Sequence, residues 1–138
     1  MHKTFYNIFL LFAVITISFA CTKYSSPRKV NRLLTKDVWK ISSIYIRNID
    51  MTPEFEGDEF VFQEDNDIIV TGPVGIGGSW DTGVESNPTN LQLVVTPIYP
   101  YYELNADWTF TQCTKNQMTL EVKDSIYINT LILKKVGT

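Results

Sequence analysis

Histidine is almost missing from this sequence. Its one copy, His2, stands in an N-terminal stretch that reads as a removable signal, so the domain left behind has no imidazole. That excludes histidine-based nucleophilic triads, histidine general bases and histidine-containing zinc sites. Cysteine is scarce as well, with two copies, Cys21 and Cys113. If Cys21 is modified through its sulfur, the domain has to stand without an internal disulfide. Cys113 then reads as a small, half-buried packing residue, because no predicted helix end stands beside it to activate a thiol. Positive charge is missing from one long region: Asp50 to Asp107 holds twelve acidic residues and no Lys or Arg, whereas Lys23 to Arg47 holds seven Lys/Arg and one acid. The net charge of −3 hides that asymmetry. An acidic middle repels phosphate backbones, so no nucleic acid partner is expected. The basic first segment either lies against anionic headgroups or only solvates a surface.

What the sequence does have begins with an address. Met1-His2-Lys3 is a short positive stretch, and Phe5 to Ala20 is a nearly unbroken apolar run. Its length, roughly 16 residues, falls short of the ~20 that cross a hydrocarbon core, so a cleaved signal peptide is expected rather than a spanning helix. Ser18-Phe19-Ala20-Cys21 resembles the lipobox of bacterial lipoproteins, with Ser18 where Leu is usual. The resemblance implies cleavage before Cys21 and acylation of Cys21, and two or more chains give stable anchoring. Thr22 to Pro27 is polar and reads as a tether. Lys23, Arg28 and Lys29 follow the cysteine in place of an acidic cluster, which in such lipoproteins implies the periplasmic face of the outer membrane. The expected organisation is therefore a signal peptide over 1–20, a lipidated cysteine and tether over 21–33, and one globular domain over 34–138.

That domain reads as short strands. Val30 to Leu34 suggests a helical turn, and then period-two alternation begins. Trp39, Ile41, Ser43 and Tyr45 are expected on one face of the first strand. Phe60 and Phe62 face one way, and Glu64-Asp65-Asn66-Asp67 turns the chain into a second strand through Ile68 to Thr71, making a hairpin. Gly72 to Gly78 is too rich in breakers for a central strand, so the next one is expected near Ser79 to Thr82. Leu91, Leu93 and Val95 alternate with Gln92, Val94 and Thr96, and Pro97 stops that strand. Tyr101 to Asp107 suggests a helical turn or wide loop before Trp108 and Phe110 resume strand pattern. Met118, Leu120 and Val122 form the clearest apolar face, and Leu131 with Leu133 closes the series. Eight short strands with no long helix for a parallel crossover predict an all-β domain, closed as a single eight-stranded antiparallel up-and-down barrel.

Four short patterns sit along it: Asp37-Val38-Trp39-Lys40-Ile41, Phe55-Glu56-Gly57-Asp58-Glu59-Phe60-Val61-Phe62, Gly78-Ser79-Trp80, and Glu103-Leu104-Asn105-Ala106-Asp107-Trp108. In this order and spacing the chain resembles small bacterial lipocalin-like lipoproteins from about Leu34 to Val136. The resemblance implies a lipocalin-type barrel and a binding role, with no ligand attached. Asp37 stands where lipocalins proper carry the glycine of a Gly-x-Trp pattern.

Few residues suggest chemistry. The Gly72 to Gly78 segment lacks the Gly-Lys-Ser/Thr and following helix of a phosphate loop and reads as a hairpin loop. Glu64, Asp65 and Asp67 offer oxygen ligands to Ca²⁺ but without a distal bidentate Glu, so a polar turn is the preferred reading. Asp81 and Glu85 are a carboxylate pair of the kind glycoside hydrolysis requires, and in a domain this acidic such pairs arise by chance. The expectation is accordingly no enzyme, no cofactor and no metal. Tyr99, Tyr101, Tyr102 and Trp80 are the candidate ligand contacts, presenting stacking faces for a small apolar or glycan ligand at a barrel mouth. Trp39, Phe60, Phe62 and Trp108 are expected in the core. The competing expectation is a filled barrel that serves a structural or protein-partner role in the cell envelope.

Overall fold

The computed structural model describes residues 26–72, 75–83 and 89–137. Among the described residues Pro27–Lys36 form one helix, α1, and nine strands follow: β1 (Trp39–Ile46), β2 (Ile49–Asp50), β3 (Glu59–Phe62), β4 (Asp67–Thr71), β5 (Ile76–Thr82), β6 (Asn90–Val95), β7 (Ala106–Cys113), β8 (Gln117–Asp124) and β9 (Tyr127–Lys135). Two 3-10 turns, Thr52–Phe55 and Tyr101–Leu104, interrupt the series. Every pairing is antiparallel, the order is β2-β1-β3-β4-β5-β6-β7-β8-β9, and β9 returns to β1. Apart from the two-residue β2, this is the closed eight-stranded barrel that the alternation predicts.

Alternation sets which side chains enter. In β4, Ile68 and Val70 are buried between exposed neighbours, and in β6 Leu91, Leu93 and Val95 point inward while Gln92 and Val94 point out. The expected face of β1 holds only for Trp39 and Ile41. A register shift between Ile41 and Ser43 inserts a residue, and a bulge of one residue reverses the inward face beyond it. Ile44 and Ile46 therefore enter the core, and Tyr45 turns out to solvent. A second shift, between Phe110 and Gln112 in β7, likewise brings Cys113 inside, where it is fully buried rather than half-buried.

Strand β5 starts at Ile76, earlier than the breakers suggested. Gly78 belongs in it because it pairs with Val95, and a Cβ at this position would strike the carbonyl of Val94 and the Cα of Val95. The glycine is there for close approach of two strands, not for a flexible loop.

The barrel has a helix end and a hairpin end. At the helix end, the turn expected at Val30 to Leu34 is a ten-residue helix, so residues 27–33, read above as part of the tether, are folded. Ser26 caps it by accepting a hydrogen bond from the Lys29 amide (3.3 Å), and Pro27 occupies the first turn, where its missing N–H costs nothing. Val30 and Leu34, one turn apart, are both fully buried, each contributing roughly 1.5–3 kcal/mol of apolar transfer. The Trp39 indole donates to the carbonyl of Leu34 (3.1 Å), and the Thr82 hydroxyl donates to the Asn31 side chain (2.5 Å). These bonds hold α1 over β3 and β5 as a lid.

The hairpin end gathers the β1–β2 and β8–β9 turns and both 3-10 segments, beside the Thr71 end of β4 and the Ile76 end of β5. Phe55 and Tyr101 meet edge to face there (5.7 Å, 82°), Leu104 is buried beneath them, and the Trp108 indole donates to the carbonyl of Leu104 (2.9 Å). Between the two closures the interior is filled: Trp39, Phe62, Ile68, Leu91, Trp108 and Leu120 are all under 2% exposed and belong to one core cluster. An eight-stranded barrel is just wide enough for side chains of this size to fill.

Candidate functional site

With the interior occupied, the groups open to a ligand are those on the outer surface. The tyrosine segment divides accordingly. Tyr101 points in, is 7% exposed, and donates its hydroxyl to the Asp58 carboxylate (2.8 Å), which is itself buried. Burial, followed by that hydrogen bond, pushes the Tyr101 phenol up to about 12. Tyr99 and Tyr102 point out, with ring centroids 5.9 Å apart and planes tilted by 54°. A cis Tyr99-Pro100 peptide lies between them in the chain. The Tyr99 phenol is also raised, first by partial burial and then by the negative charge of Glu54. Two open aromatic faces at this spacing form a platform on which a flat or ring-shaped ligand can stack.

Beside Tyr102 runs a cleft of about 450 Å³, lined by Arg47, Glu103, Asn105, Asp124 and Asn129 among others. Arg47 organises it. The β1–β2 hairpin has a two-residue turn, Arg47-Asn48, with both residues at positive φ (48° and 64°). Such turns favour Asn-Gly, and a long side chain there is uncommon. The Arg47 amide donates to Asn129 Oδ1 (2.8 Å), and its guanidinium reaches Glu103 (3.5 Å) and Asp124 (3.4 Å). One residue thus ties together the β1–β2 turn, the second 3-10 segment and the β8–β9 turn. Asn105 is fixed as well, accepting from the Val95 amide (2.6 Å) and donating to its carbonyl (3.2 Å). The cleft therefore presents charged and amide groups in set positions next to an exposed ring.

Trp80 is not brought to this site. It is buried at the helix end, edge-on to Phe62 (5.5 Å, 86°), with its indole N–H shared between the carbonyls of Gln63 and Asp67 (3.1 Å each). Its work is to hold the β3–β4 turn. In that turn Asp65 accepts from the Asp67 amide (3.1 Å), and Asn66 takes a positive φ of 68° while donating to the Trp80 carbonyl (3.0 Å). Among the described residues no group of three or more His, Cys, Asp or Glu side chains is arranged to hold a metal ion. Asp81 is exposed on β5, while Glu85, its suggested partner, and Cys21 lie outside the described residues.

A second and larger cleft, about 780 Å³, opens where β1 and β3 diverge, since Trp39–Phe60 is their one register pair. Lys40, Asp50, Glu56, Glu59 and Lys134 line it, and its one ring, Phe55, is 2% exposed. Asp50 is held below the usual carboxylate range by the Thr52 hydroxyl and then by the Thr52 amide. The cleft offers mixed charge but no stacking face.

Tyr99 and Tyr102, expected from the sequence as ligand contacts, are exposed, whereas Arg47 was not among the expected residues. Its signal in the sequence is Arg-Asn standing after the alternating run of β1, where Asn favours the positive φ of a two-residue turn. The fold defines a class: a closed eight-stranded antiparallel barrel with a filled interior. No protein-family model matches the chain, and no curated protein matches it.

Proposed function

We propose that this protein is a lipid-anchored, non-enzymatic barrel of the lipocalin-like kind, held through Cys21 on the periplasmic side of the outer membrane. In this reading its ligand is a glycan, bound outside the hairpin end. The observation that carries the reading is the pairing of exposed Tyr99 and Tyr102 with the cleft around Arg47, set against an interior already full. Filling of the core argues against the small apolar ligand that a hollow barrel would take. Sugars present both apolar ring faces and rows of hydroxyls, and the site offers rings for the first and Glu103, Asn105, Asp124 and Asn129 for the second.

The test is a thermal-shift and NMR titration with a panel of oligosaccharides and, as a counter-probe, long-chain fatty acids. A saccharide that shifts the signals of Tyr99, Tyr102 and Arg47, and loses its effect in Tyr102→Ala, supports the proposal. Response to the fatty acid alone rejects it. A protein partner is the second reading, favoured by Ile49, Ile98 and Ile126, which are 63%, 54% and 84% exposed on segments of the hairpin end. Cross-linking from Ile126→Cys on intact cells distinguishes it, because a saccharide site leaves that turn uncaptured.

A further inference from the structure

The outer face of α1 is built for contact with something anionic. Arg28, Lys29, Arg32 and Lys36 are all exposed, and the helix contains no acidic residue. At 100° per residue these four span an arc of about 100°, which stands opposite the arc of Val30 and Leu34. Val30 and Leu34 are the buried residues by which α1 plugs the barrel, so the four cations face away from it. Lys115, exposed in the β7–β8 turn, adds charge at the rim of the same end. Of the acids at this end, Asp37 follows α1 as its C-cap and pairs with Lys135 (3.7 Å), and Asp81 is exposed on β5 beside Thr82, while Glu64, Asp65 and Asp67 of the β3–β4 turn lie across the barrel from Lys115 by the strand order.

We propose that this face docks on the anionic phospholipid headgroups of the bilayer that holds the protein, standing the barrel on its helix end. The proposal rests on the Cys21 anchor. Four residues separate Cys21 from Ser26, and fully extended chain spans at most about 3.6 Å per residue, or roughly 18 Å in all. An anchor there keeps α1 within reach of the headgroups and leaves the hairpin end, with Tyr99, Tyr102 and Arg47, turned away from the membrane. Lys115 then tilts toward the surface and the acidic β3–β4 turn tilts off it.

The experiment reconstitutes the processed, lipid-bearing protein into vesicles of phosphatidylcholine alone or with 30% phosphatidylglycerol, carrying headgroup-level quenchers. Reporter dyes sit on Lys36→Cys and, separately, Ile126→Cys. The expected result is quenching at position 36 that rises with phosphatidylglycerol and is reversed by salt, with position 126 unquenched throughout. Arg28→Glu with Arg32→Glu, both on exposed positions, removes the rise while the thermal melt stays put. For the unacylated protein, binding to the anionic vesicles drops roughly fivefold for each cation neutralised. Equal quenching on both vesicle types, or quenching at 126 rather than 36, overturns the docking. Loss of the protein from neutral vesicles, with no acyl mass on Cys21, overturns the anchor instead. In that case salt-sensitive binding of the unacylated chain to the anionic vesicles decides the docking by itself.

Discussion

At the helix end of the barrel the Trp39 indole holds the carbonyl of Leu34, and at the hairpin end the Trp108 indole holds the carbonyl of Leu104. In both places a buried tryptophan on the first half of a strand fastens the segment that precedes it, and that segment plugs the barrel with apolar side chains. The outer surfaces part company. The exposed residues of α1 are all cations, while outside the hairpin end there are tyrosines, isoleucines, carboxylates and one tethered arginine. Closure is thus a requirement of the fold, met the same way twice, and the two ends differ where no packing constraint dictates the residue.

If the closures are equivalent, breaking either should cost alike. Trp39→Ala and Trp108→Ala are each expected to lose about 3–5 kcal/mol in urea unfolding. A large imbalance would mean that one end is an ornament on a core built by the other. Tyr101→Phe sharpens the point at the hairpin end alone, because it leaves the ring and removes the donor to buried Asp58; the expected loss is roughly 1–3 kcal/mol.

The same hydroxyl carries a pH signature. Tyr101 has its phenol raised from 10.0 to about 12, so its neutral form is favoured in the folded state. That stabilisation is complete below the unfolded value of about 10 and is lost as pH rises toward 12. Circular dichroism melts over this range should fall faster for the parent protein than for Tyr101→Phe.

Arg47→Gly removes an exposed ion pair to Asp124 and a longer, half-buried one to Glu103, together worth about 1 kcal/mol and opposed by strain relief of similar size at the positive φ. Its stability should change by less than about 1 kcal/mol, while the saccharide response is lost. Tyr99→Ala should leave the melt within about 0.5 kcal/mol, as expected of an exposed site, and weaken the same response.

The barrel was legible in the sequence because alternation at period two is what a half-buried strand requires, and β3, β4, β6, β8 and β9 keep it. It failed where a bulge adds a residue. Nothing in Ile41-Ser42-Ser43 announces the shift that sends Tyr45 outward, since Ser suits either face. Gly77-Gly78 read as breakers because the sequence does not show that β6 passes close enough to forbid a side chain at Gly78. The helix is longer than the turn expected at Val30 to Leu34 because Ser26-Pro27, taken there as the end of the polar tether, is a helix start signal. Of the candidate site, exposed Tyr99 and Tyr102 were readable from their proline-flanked setting. Tyr101 and Trp80 were not separable from them, because an aromatic ring has the same pattern whether it plugs a barrel or greets a ligand.

The central claim is that the core is occupied and recognition is external. Trp39, Trp80 and Trp108 are 0%, 3% and 0% exposed, so intrinsic tryptophan emission reports directly on that core. Titration with a long-chain fatty acid should leave the emission maximum and its resistance to acrylamide unchanged up to the solubility limit. A saturable shift or quench, with one equivalent bound, would mean that the barrel opens to admit a guest and would contradict the account.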